Sequence, residues 1–120
     1  MRISILILIL FTNCVKQRDN LDYPKNIKDI VEVVLERPDK KSNGKFAEFK
    51  KLNEKEIIKL LQVLNKAQPI GPTKFKPDFY IYFETKNNGN YRIKINKNII
   101  KGYKNDYSYK IENVLWLTNF

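Results

Sequence analysis

The sequence predicts an α+β domain: an antiparallel sheet of four to five strands with one amphipathic helix packed across one face, in the order ββαβββα. Three observations carry that expectation. Apolar and polar residues alternate through residues 79–83 and again through 91–95, on either side of an Asn/Gly-rich turn. Alternation with period two marks a half-buried strand. Ile57, Leu60, Leu61 and Leu64 recur at i, i+3, i+4 and i+7, which lines one face of a helix. Residues 27–37 are rich in β-branched side chains, and these suit a pleated surface.

Taken in order, residues 27–37 read as a first strand, with Val31, Val33 and Leu35 on one face and Glu32 and Glu36 on the other. Residues 38–44 (PDKKSNG) carry turn chemistry throughout. Residues 45–51 then place Phe46 and Phe49 in a short second strand whose alternation is poor. The helix is expected over residues 53–67. Asn53 is a good N-cap, Glu56 stands where it can reach back to the cap, and Leu52 and Ile57 are spaced to staple across it. Lys55, Lys59, Gln62 and Lys66 face away, and Pro69 stops the helix. Residues 69–77 contain three prolines and read as an extended connector to the sheet.

The hairpin over residues 78–98 has a register to choose. A two-residue loop at Asn88-Gly89 would pair Phe83 with Lys94 and mix the faces. A three-residue loop, Asn87-Asn88-Gly89, pairs Phe83 with Ile93 and Ile81 with Ile95. It also puts Gly89 in the left-handed position that glycine adopts most readily. Register follows the buried face, so the longer loop is expected. On the opposite face it sets Tyr82 across from Lys94, Glu84 from Arg92 and Tyr80 from Asn96. Residues 99–104 should add a short strand after a tight turn at Lys97-Asn98. Asp106 or Ser108 then caps a last element with Ile111, Val114 and Leu115 at helical spacing. Trp116 and Leu117 make that element apolar nearly all round, so it is a well-packed helix or part strand.

The first fourteen residues, MRISILILILFTNC, limit function more than anything downstream. Arg2 is followed by an apolar run broken only by Ser4, then by Thr12, Asn13 and the sole cysteine, Cys14. A positive start, a short apolar stretch and a cleavage region form an export signal. With Cys14 at its end, the stretch resembles a bacterial lipoprotein signal. The resemblance implies cleavage before Cys14, lipid (palmitate among it) on its sulfur, and a mature chain beginning at that residue. A plain secretory signal and a buried first strand are the other readings. A membrane-spanning helix needs about 20 apolar residues, roughly twice this run. The expected organisation is therefore a lipoprotein-type signal over 1–13, a polar tether over 14–26, and one α+β domain over 27–120. Fully extended, the residues of that tether would reach about 40 Å.

The net charge is +10, which invites nucleic acid or an anionic surface as partner. The excess is lysine, 19 against four arginines. Lys, Asn and Ile dominate together, as A/T-rich codons alone would produce. Arginine, the better bidentate reader of phosphate and guanine, is scarce, so no nucleic acid is expected. The chain has no histidine, the commonest general base and metal ligand. Ser42 and Ser108 have no evident base, carboxylates are scattered singly, and no glycine-rich phosphate loop exists. No catalytic residue, no metal site and no cofactor is expected.

The chemistry worth naming lies on the hairpin. Tyr80, Tyr82, Arg92 and Lys94 share the face opposite the core, and interleaved aromatic and basic side chains can form a recognition face. Cross-strand pairing that merely stabilises the sheet is the plainer account. Residues 101–110 (KGYKNDYSYK) repeat the composition and the same two readings. The expected function is a small membrane-anchored envelope lipoprotein, held by a lipid on Cys14 and acting as a non-catalytic protein-binding or inhibitor/immunity-type module with an envelope protein as partner. The alternative, if the N-terminus is structural, is a cytosolic basic nucleic-acid-binding domain.

Overall fold

A computed structural model of the chain describes residues 21–38, 45–87, 89–103 and 107–118. The expected signal over 1–13, the lipidation residue Cys14 and residues 15–20 of the expected tether lie outside the described residues. After one 3-10 turn at Ile27–Asp29, the chain runs β1 (Ile30–Pro38), β2 (Phe46–Lys51), α1 (Glu54–Asn65), β3 (Gln68–Pro72), β4 (Phe79–Thr85), β5 (Asn90–Asn96), β6 (Ile99–Gly102), β7 (Tyr107–Lys110) and α2 (Leu115–Thr118). Among the described residues, seven strands form one antiparallel sheet in the spatial order β2-β1-β4-β5-β6-β7-β3. The α+β class and the antiparallel sheet agree with the sequence expectation. The sheet is larger than four to five strands, and the order is ββαβββββα instead of ββαβββα.

The two extra strands arise where local signals were ambiguous. Residues 69–77, expected as a connector, divide in two. Their first half pairs with β7 as edge strand β3. Proline cannot donate to a ladder and is confined to edges and bulges, and here Pro69 and Pro72 sit on an edge, with a register shift beside Gly71 (φ +96°). Their second half crosses the sheet towards β4. Residues 107–110, expected near the cap of a last helix, form β7 instead, paired on both sides. That leaves α2 a single turn, opened by Asn113, whose side chain accepts from the Leu115 N–H.

Helix α1 forms where its cap and stripe require. The Asn53 side chain accepts from the Glu56 N–H at 2.9 Å, and Glu56 accepts from the Asn53 N–H at 3.0 Å. This reciprocal pair satisfies two donors that a helix start otherwise leaves unbonded. Leu60, Val63 and Leu64 are buried against Val33, Leu35, Ile81, Phe83, Ile93, Ile95 and Ile100 of the sheet. Each fully buried aliphatic side chain contributes about 1.5–3 kcal/mol. Lys50 reaches under the helix to pair with Glu56 at 2.7 Å and to donate to the Leu117 carbonyl at 2.9 Å. It thereby ties β2, α1 and α2 together.

Packing also starts earlier than Ile27. Leu21 and Tyr23, inside the stretch expected as a tether, are buried in the core, and burial raises the Tyr23 phenol above its ordinary pKa. Val31, expected on the core face, is 55% exposed. A register shift between Ile30 and Glu32 turns it outward while Val33 and Leu35 stay inside.

Two outcomes check this packing. Leu60→Ala should lower unfolding free energy by about 2–5 kcal/mol, whereas Ile58→Ala, at a position 43% exposed, should change it by no more than about 1 kcal/mol; urea unfolding reads both. Glu56 is held below the ordinary glutamate pKa, first by the hydrogen bond from Lys50 and then by the cap, against the opposing effect of burial. Its stabilisation is present above the unfolded-state value and is lost as pH falls through the lower folded value. Glu56→Gln should therefore be less stable at neutral pH and show a shallower loss of stability on acidification.

Candidate functional site

Strand β4 buries Phe79, Ile81, Phe83 and Thr85 and leaves Tyr80, Tyr82 and Glu84 half-buried on the other side. Strand β5 does the same with Ile93 and Ile95 against Arg92, Lys94 and Asn96. The structure therefore places Tyr80, Tyr82, Arg92 and Lys94 together on the sheet face away from α1. The pairing differs from the expected register by two residues. Tyr80 lies opposite Lys94, Tyr82 opposite Arg92, and Glu84 opposite Asn90. The connection runs from Thr85 to Gly89, closed by the Thr85 hydroxyl donating to the Gly89 carbonyl. Gly89 is left-handed (φ +78°) as expected. A two-residue slip keeps every side chain on its face, so the buried face could not distinguish the two registers.

Arg92 is the centre of the face. Its Nε donates to Glu36 Oε1 at 3.0 Å. Strand β4 separates β5 from β1, so the Arg92 and Glu36 side chains together bridge two strand spacings, about 10 Å. Its guanidinium carbon stands 4.2 Å from the Phe46 ring centroid, 4.8 Å from that of Tyr82 and 5.8 Å from that of Tyr103. Phe46 meets Tyr80 edge-on at 4.8 Å. A guanidinium over aromatic faces gains about 0.5–2 kcal/mol per site. Burial raises the Tyr80 phenol pKa; the nearby Tyr103 raises it further and Arg92 opposes the shift.

Phe46 and Glu36 belong to this cluster and were not among the sequence candidates; Tyr103 joins it from within residues 101–110. Phe46 arrives through a bulge. Leu35 pairs with Lys50 but Glu36 pairs with Glu48, so Phe49 is an extra residue. The bulge turns Phe49 towards Phe79, 5.9 Å away on the core side, and turns Phe46 onto the open face. The uneven spacing of the two phenylalanines was the signal. Tyr103 is set by its N–H donating to the Arg92 carbonyl at 3.0 Å, and it is 47% exposed. Within residues 101–110, Ser108 and Tyr109 are buried, and residues 104–106 lie outside the described residues.

Helix α2 does not cover the face, because Leu117 is buried in the core beneath α1. Residues 73–77 cover part of it. The Thr73 hydroxyl bonds that of Ser108, Lys101 Nζ donates to the Thr73 carbonyl at 3.0 Å, and Asn96 donates to the Lys76 carbonyl at 2.7 Å. Among the described residues, the β6–β7 side and the Asn96 end of β5 are thus roofed, and the rest of the β2-β1-β4-β5 side is open. A half-open cavity of about 590 Å³ lies at one end of the sheet, lined by Arg37, Asp78, Phe79, Lys97, Asn98 and Leu115 among others. Asp78 there accepts from the Lys97 N–H at 3.2 Å. Among the described residues, no group of three or more His, Cys, Asp or Glu side chains converges as a metal site, and no helix is long and apolar enough to cross a membrane.

The Arg92 arrangement predicts coupling. In a double-mutant cycle, Arg92→Lys and Glu36→Gln should show an interaction energy of about 1–2 kcal/mol, since the bond is charge-assisted and mostly covered. Arg92→Lys alone should destabilise despite keeping the charge, because lysine lacks the planar group that stacks on Phe46 and Tyr82. Urea unfolding of the four proteins measures both. Comparison with known protein families, with curated proteins and with solved structures gives no match.

Proposed function

We propose that the protein is a small lipoprotein of the bacterial cell envelope. In this reading a lipid on Cys14 holds it on the exported side of a membrane, and its domain is a non-catalytic protein-binding module of the inhibitor or immunity type. The observation that carries the binding part is the open face: four aromatic rings and Arg92 locked together, with Tyr103 still 47% exposed. Tyrosine and arginine dominate the energetic centres of protein interfaces, and side chains already held in place lose little entropy on binding. The absence of histidine from the chain and the commitment of Arg92 and Glu36 to each other favour binding over catalysis. The anchoring part rests on the resemblance of residues 1–14 to a lipoprotein signal. The inhibitor or immunity character is analogy from size and location.

The mass of the protein from its native membrane fraction tests the anchor. A chain beginning at Cys14 with added acyl mass, and loss of that mass and of membrane retention in Cys14→Ala, is the expected result. A full-length, unmodified chain in the soluble fraction sinks the lipoprotein reading and returns the basic surface to a cytosolic nucleic-acid role. A photo-crosslinking residue at position 103 should trap an envelope protein that the same residue at position 55, on the outer side of α1, does not.

A further inference from the structure

We propose that the open face recognises an acidic segment of its protein partner, with Lys94 and the outer nitrogens of Arg92 receiving carboxylates and Tyr103 receiving an adjoining apolar side chain. This rests on the binding-module reading above and names the chemistry of the partner.

One row of directly paired residues crosses the sheet: Glu48, Glu36, Tyr80, Lys94, Lys101 and Ser108, on β2, β1, β4, β5, β6 and β7. Charge is segregated along it, with two acids at one side and two lysines at the other. Like charges facing each other across a ladder are destabilising. The acidic side is relieved, because Arg92 binds Glu36. The basic side is not relieved by any acid among the described residues. Lys101 is turned to a neutral acceptor, the Thr73 carbonyl. The Lys94 ammonium makes no hydrogen bond or ion pair among the described residues and stands 5.4 Å from the Tyr103 ring centroid. A carboxylate from outside would relieve this repulsion.

Arg92 stands beside that lysine pair with its Nε occupied by Glu36 and its guanidinium carbon set among three rings. Its two outer nitrogens have no bond among the described residues. They form the end-on fork that binds a carboxylate through two parallel bonds. The extent of the patch selects the partner. Glu36 and Glu48 end the cations towards β2, and the crossing residues 73–77, with Lys74 and Lys76 exposed on them, roof the sheet towards β7. On the sheet itself the cations are Arg92, Lys94 and Lys101, interrupted by the two acids on the β2 side, whereas a nucleic-acid backbone needs a continuous track of cations. An acidic peptide segment satisfies the cations and can place an apolar side chain on Tyr103.

The test titrates the isotope-labelled full chain with short poly-L-glutamate, with oligothymidylate of equal charge, and with phosphatidylglycerol vesicles. Poly-L-glutamate should move the amide signals of Tyr80, Arg92, Lys94, Lys101 and Tyr103. Lys94→Glu should weaken its binding about tenfold, while Lys55→Glu, an equal charge change on α1, should weaken it less than about twofold. Signals moving mainly elsewhere, equal losses in the two variants, or tighter binding of oligothymidylate or vesicles would overturn the proposal. If the position-103 crosslink forms but poly-L-glutamate leaves this face unmoved, the acidic-segment proposal falls and the binding-module reading stands. If neither occurs, both fall.

Discussion

Strand β4 lies third in the sheet and pairs with β1 on one side and β5 on the other. Its seven residues alternate without a break between buried and half-buried, and that alternation divides the molecule. Phe79, Ile81 and Phe83 meet the stripe of α1 and supply the middle of the core. Tyr80, Tyr82 and Glu84 are sent to the opposite face by the same pleat. A one-residue slip would put tyrosine hydroxyls and a carboxylate under the helix, where unpaired polar groups carry a penalty of a few kcal/mol each. The core therefore enforces the composition of the outer face.

On that face Arg92 acts as a strut. It meets Glu36 over β4 and is flanked by rings contributed by β2, by β4 and by the residue following β6. Glu36 and Arg92 have only 12% and 24% of their side-chain surface exposed, so either charge left alone would be poorly solvated. Mutual dependence of this kind favours one geometry over many. A surface whose side chains are already fixed is suited to recognition, and the same fixity explains why the cluster also stabilises the sheet.

The crossing segment gives the second face its asymmetry. Because β3 pairs with β7 at the far edge and β4 lies near the opposite edge, residues 73–77 must travel back across the sheet. They do so on the side that α1 leaves free, using their carbonyls as acceptors for Lys101 and Asn96. The prolines that read as a simple connector also blunt the β3 edge, which would otherwise offer a ladder to another chain.

Local chemistry determined much of this protein. The Asn53–Glu56 cap, the stripe of α1, the alternation of β4 and β5 and the left-handed Gly89 depend on near neighbours, so they were legible in the residues. The shared face of Tyr80, Tyr82, Arg92 and Lys94 followed from period two alone. Tertiary structure decided what period two cannot see. The hairpin register moved by two residues because both registers bury the same side chains. Residues 68–72 and 107–110 became strands because each found a partner distant in sequence. Phe46, Glu36 and Tyr103 joined Arg92 through a bulge and a strand order that no local pattern encodes, since long-range pairing depends on which edges remain free after the core has closed.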